Sequence, residues 1–156
     1  MKFLDYLLVA GGGALGSAGR YWLSGCVGRH FGETFPYGTL LVNVSGCLVI
    51  GFFAAYTGTE GRVLMRPEWR LAFMTGVCGG YTTFSSFSLQ TFNLATDGDW
   101  LRAGANVVAS VVFCLTAVWA GHLCATAISR CTQPFFKPSD CGCAHLRRMT
   151  SITSPF

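Results

Sequence analysis

Hydrophobic and polar positions along this chain fall into long blocks rather than an amphipathic helix or strand period. Four stretches run almost free of charge: Tyr6 to Gly28, interrupted only by Arg20; Thr34 to Thr59; Leu71 to Thr96; and Ala103 to Ser129, with His122 near its end. A spanning helix needs about 20 mostly apolar residues, so the pattern predicts four transmembrane helices. Charged and turn-forming residues collect between them, around Arg29, His30 and Glu33, then from Glu60 through Arg62, Arg66, Pro67, Glu68 and Arg70, then at Asp97-Gly98-Asp99. The connections are short, so the fold class is all-α, a polytopic membrane protein with one domain over residues 1–130. The first apolar run is too long for a cleaved signal peptide and leads into Arg20-Tyr21-Trp22, and it reads as a span.

Composition points the same way. Of 156 residues, 51% are hydrophobic and only 12% charged, against roughly 25% charged in a typical soluble domain. An aromatic content of 14% excludes disorder. The net charge of +4 does not indicate nucleic acid, because the basic groups are spread over loops and tail and read as membrane-flank charges. With four spans, Lys2, Arg62, Arg66, Arg70 and Arg130 share one side, and Arg29, Arg102 and a shallow Arg20 the other. Lys and Arg near span ends set topology, and so weak a bias permits insertion both ways up with an antiparallel pairing of two copies, or an ordinary protein with cytoplasmic termini, without deciding between them.

Beyond Arg130 the chain changes character. Pro134, Pro138 and Pro155 punctuate a Ser/Thr-rich tail, residues 131–156, which reads as flexible. Cys131, Cys141, Cys143 and His145 resemble a soft-metal cluster, but the spacing matches no strong zinc pattern, and incidental thiols are the plainer reading. Cys26, Cys47, Cys78, Cys114 and Cys124 lie in apolar spans, where a thiol behaves as a small hydrophobe.

The third stretch holds residues that a simple anchor does not need. Gly76-Val-Cys-Gly-Gly-Tyr-Thr-Thr-Phe-Ser-Ser-Phe-Ser88 puts paired glycines, two threonines and three serines near mid-membrane. Gly79 and Gly80 permit non-helical backbone, and a break there frees carbonyls that must find partners in hydrocarbon. Irregular backbone at that depth lines a cavity or binds an ion, unless the small residues serve only helix packing. Phe84 and Phe87, three apart, share a helix face and interleave with serines. Ring edges carry positive potential, so edges and hydroxyls together suit an anion. Thr39, Asn43 and Ser45 in the second stretch, and Asn106 and Ser110 in the fourth, add polar groups that serve either a path or interhelical contact.

All seven acids fall at ends, loops or tail, so no buried carboxylate is present for proton-coupled cation export. Arg20 is the one ionised residue that helical counting places inside a span. It either draws anions into a vestibule or anchors a helix end beside Tyr21 and Trp22. No nucleotide loop or catalytic triad stands out, and an enzyme is not expected. A secondary transporter would have only His122 to titrate in the membrane, and a non-transporting membrane subunit would leave the polar break without a purpose.

Gly11-Gly-Gly-Ala-Leu-Gly-Ser-Ala-Gly-Arg20-Tyr, Tyr37-Gly-Thr-Leu-Leu-Val-Asn43-Val-Ser-Gly46 and the Gly76–Ser88 run, in that order, resemble the signature segments of the Fluc, or CrcB, fluoride channel family. The resemblance covers residues from about 1 to 130 and leaves the tail without a counterpart. It implies an antiparallel, dual-topology homodimer of four-helix subunits in the bacterial inner (plasma) membrane, carrying fluoride out of the cell passively. It implies a structural sodium ion at the break, held by backbone carbonyls that motif position assigns to Gly79 and Thr82. It places Phe84 and Phe87 on the permeation path, matches Asn43 to the pore asparagine and Arg20 to the first-helix arginine, and adds Ser110, Thr39 and Ser88 to the polar lining. Tyr81 and Ser86 fall at variable positions of the run and receive no role.

Overall fold

The computed structural model describes residues 3–32, 34–58 and 63–131. Helix α1 spans Phe3–Phe31, α2 Tyr37–Tyr56 and α3 Pro67–Leu71; a π-helical stretch covers Ala72–Cys78; α4 is Gly79–Tyr81, α5 Phe84–Thr96 and α6 Trp100–Cys131. No strand occurs among the described residues. The tail beyond Cys131, and with it the cluster of Cys141, Cys143 and His145, lies outside them.

The four charge-poor stretches each become helix, with ends set by local chemistry. Gly32 at φ 74° closes α1, its N–H reaching Gly28 O at 3.0 Å, a left-handed position that favours glycine. Gly98 at φ 85° does the same after α5. Asp99 then opens α6, accepting the Arg102 N–H at 3.4 Å and pairing with its guanidinium at 3.0 Å. The expected second loop is shorter than the charge pattern suggested. Pro67 starts a helix, and the N–H groups of Trp69 and Arg70 bond Arg66 O at 3.1 and 3.2 Å. Proline at the first helical position loses no bond, since its missing N–H would have had no partner there. Glu68 and Arg70 therefore lie on a helix.

The segments α3, π stretch and α4 follow one another in helical conformation, Ala72 and Gly79 both lying in the right-handed region. They form one rod from Pro67 to Tyr81. Its glycines let it press on α1: a Cβ on Gly16 would fall 2.7 Å from Tyr81 N, and one on Gly80 2.6 Å from Gly13 O. On the other side α2 and α6 meet as closely, a Cβ on Gly51 falling 2.9 Å from Val118 Cα and one on Gly121 2.8 Å from Phe52 N. Contacts ascend together along each pair, so α1 runs parallel to the rod and α2 parallel to α6.

Burial is inverted relative to a protein in water. Val42 and Asn106 are the largest fully buried side chains, while Trp22, Trp100, Leu115 and Trp119 are each more than 65% exposed. So much outward apolar surface calls for an apolar surrounding. Helices α2 and α6 are each long and apolar enough to cross a membrane. Helix α1 has 29 residues, enough for about 43 Å at 1.5 Å per residue, but carries Arg20 and many glycines.

Candidate functional site: a broken helix between two cavities

Between the rod and α5 the helix stops. Thr82 (φ −76°, ψ 154°) and Thr83 (φ −147°, ψ 117°) are extended, a conformation that suits β-branched residues. The expected break at Gly79-Gly80 is corrected: Gly79 is helical at φ −66°, ψ −36°. Gly80 is small because Gly13 of α1 lies against it, so the glycines are spent on close approach and the interruption falls at the threonines.

Asn43 holds the break open from both sides. Its Nδ2 donates to Thr83 O at 3.0 Å, and the Thr83 N–H donates to its Oδ1 at 2.8 Å. Thr83 also caps α5, its Oγ1 accepting the Ser86 N–H at 3.3 Å. These two bonds divert the amides that a continuous helix would deliver four residues back, to Gly79 O and Thr82 O. Gly80 O is reached by Ser17 Oγ at 3.3 Å. The Asn43 amide, expected as a donor to a passing anion, thus places one N–H on the backbone.

Two cavities meet at this point, and Thr83 borders both. The inner one, of about 440 Å³, has Asn43, Thr82, Phe84, Phe87 and Ser110 in its wall, and Gly79 also reaches it. The two rings are 5.4 Å apart and tilted by 48°, so the predicted shared face is real. Ser110 is buried, whereas Phe84 is 79% exposed beside the break. The outer cavity, of about 680 Å³, is lined by Ser17, Arg20, Thr39, Ser86, Gln90 and Asp97 among others. Arg20 and Thr39 therefore stand together in a polar mouth, apart from the phenylalanines. Ser88 is exposed on α5 and lines neither cavity. His122 is exposed near the end of α6.

Three contributors escape sequence reasoning. Thr83 is the clamp, and the signal for it is a Thr three residues before a Ser at a helix start. Tyr81 and Ser86, given no role, both bond near the break. Tyr81 Oη lies 2.9 Å from Ser45 Oγ, and Ser86 Oγ accepts from Thr83 Oγ1 at 3.1 Å. Of the two uses the sequence leaves open for Asn106, interhelical contact is the one taken: 2% exposed, it donates to Thr91 Oγ1 at 2.8 Å and ties α6 to α5.

Fold and site together define a small all-helical membrane protein with an interrupted helix between a partly polar cavity and a largely apolar one. A family model described as CrcB-like protein, Camphor Resistance (CrcB), matches residues 7–122, and the chain belongs to the CrcB family. It is 62% identical over 124 residues to a protein of Opitutus terrae, covering 80% of this chain and 94% of that one. It is 60% identical over 126 residues to one of Rhodospirillum rubrum, covering 81% and 98%. To one of Bradyrhizobium diazoefficiens it is 46% identical over 125 residues, covering 80% and 87%. The first two are named fluoride-specific ion channel FluC and the third fluoride-specific ion channel FluC 1.

Proposed function

We propose that the chain is a fluoride channel that lets fluoride leave the cell passively, down its electrochemical gradient. The observation that carries this reading is the Thr82-Thr83 interruption, pinned by Asn43 and opening on a cavity walled by Phe84, Phe87 and Ser110. The names of the relatives supply the ion. Fluoride is small and strongly hydrated, so its path must replace lost water with donors. Arg20 collects the anion in the outer cavity, Thr39 and Ser86 offer hydroxyls there, and the ring edges of Phe84 and Phe87 and the Ser110 hydroxyl take over in the inner one. The remaining N–H of Asn43, whose side chain lines the inner cavity, is a further donor there.

The working unit is a dual-topology, antiparallel homodimer of four-span subunits in the bacterial inner membrane, with residues 1–130 as the channel domain and 131–156 as an appended tail. The succession of α1, α2, the rod continued by α5, and α6 supports four spans, and the exposure of Phe84 beside the break supports a second copy closing the path. A sodium ion fits the break. The carbonyls of Gly79 and Thr82 have lost their helical amides, and both residues border one cavity. Such an ion would supply positive charge to oxygens whose helical amides bond elsewhere. Exchanging Phe84 or Phe87 for Ile should slow fluoride release from liposomes by about tenfold, the worth of ~1.4 kcal/mol, with assembly by size-exclusion chromatography unchanged. Undiminished release in both variants overturns the assigned path.

A further inference from the structure

The inner cavity also carries thiols for which ion passage has no use: Cys47 of α2, Cys114 of α6 and Cys78 of the rod. Cys47 and Cys114 occupy one rung of the parallel α2–α6 pair. Asn43 and Ser110 share the cavity wall one turn before them, Gly51 meets Val118 one turn after, and all three pairs are 67 residues apart in sequence. The two thiols are free and line the wall of the same cavity from facing helices. Among the described residues no third Cys, His, Asp or Glu completes a larger cluster with them. The rest of this wall is apolar, with Ile50, Val111 and Leu115 close by.

We propose that Cys47 and Cys114 form a two-thiolate site for a soft, thiophilic d10 cation in the wall of the inner cavity. Zinc takes thiolates but completes four ligands, and calcium and magnesium want six or more hard oxygens, whereas thiolates select soft ions, and two of them suit an ion that accepts linear coordination. With a divalent ion the complex is neutral, which removes the cost of burying charge in an apolar wall. Binding replaces two S–H bonds with two S–metal bonds and releases two protons. The bound ion bridges α2 to α6 beside Phe84 and Phe87. Resting on the channel reading, it obstructs the path.

Mercuric ion is the probe. In the full-length chain with Cys26, Cys78, Cys124, Cys131, Cys141 and Cys143 replaced by Ala, intact mass should rise by one mercury less two protons and survive a monothiol wash. In the same background C47S or C114S should lose only one proton on binding and release the metal to that wash. Wash-resistant mercury that persists in either variant, or single-thiol adducts in the parent, overturns the site. Should the reduced background not fold, mercury-bridged peptides joining Cys47 to Cys114 are sought after digestion of the natural chain, and their absence has the same force. Fluoride release from liposomes should fall at least tenfold with mercury and return with a dithiol. Release that is absent before mercury is added counts against the channel reading instead, since mass reports the site independently.

Discussion

The seam between α1 and the rod and the space enclosed by α2, α5 and α6 are both made with small residues, yet one is shut and the other open. Along the seam, Gly12, Gly16, Gly76 and Gly80 bring backbones so near that an added Cβ would meet main-chain atoms at or below 3 Å. One residue away from Gly80, Gly79 points toward the inner cavity and would meet only Met74 O, at 3.8 Å. Adjacent glycines thus do opposite things. The first kind welds two helices into a platform; the second borders a void kept open by Asn43, whose side chain occupies the hydrogen bonds that would otherwise close the helix. A rigid seam gives the break a fixed frame, and the break gives the cavity its polar atoms.

Substitution should separate the two regions. The largest effect belongs to the seam: Gly16→Val or Gly80→Val should cost about 3 kcal/mol or more, because the blocking atoms are backbone and cannot rotate away. Loss of monodisperse protein on size-exclusion chromatography in detergent checks it, and a normal melting profile would mean the seam is looser than described. Asn43→Ala comes next at about 2–3 kcal/mol, since it leaves the Thr83 N–H and C=O without partners. Asn43→Asp keeps the acceptor for the Thr83 N–H and should fall between Asn43→Ala and the natural chain, as read by thermal unfolding in detergent. Asn106→Ala removes one bond to Thr91 and should cost ~1 kcal/mol by the same measure. Smallest in stability is Phe84→Ile, within about 0.5 kcal/mol because the ring is 79% exposed in the single chain. A large stability loss there would place Phe84 in the framework rather than on the path.

Much of this plan was legible in the residues. Charge-free length alone located all four helical stretches, because ionised groups are excluded from spans at high cost, and the Phe84/Phe87 pair followed from helical spacing. The position of the break was not legible. A Gly-Gly pair signals freedom of backbone, but whether that freedom is used for bending or for close contact depends on what lies opposite, which for Gly80 is Gly13. Nor could local pattern reveal that Asn43 meets Thr83, a contact across 40 residues of chain. The start of the rod at Pro67 is hidden for a simpler reason: clustered charges read as loop, although a helix can begin outside the apolar zone and carry Glu68 and Arg70 on its first turns.

The most direct measurement is fluoride release from liposomes that contain the purified full-length protein, followed with a fluoride electrode. Adding a potassium ionophore with no proton gradient should release the trapped fluoride rapidly while a parallel chloride load stays inside. Fluoride that remains trapped until a proton gradient is imposed, or chloride that leaves as fast, would contradict a passive, fluoride-selective path through the break.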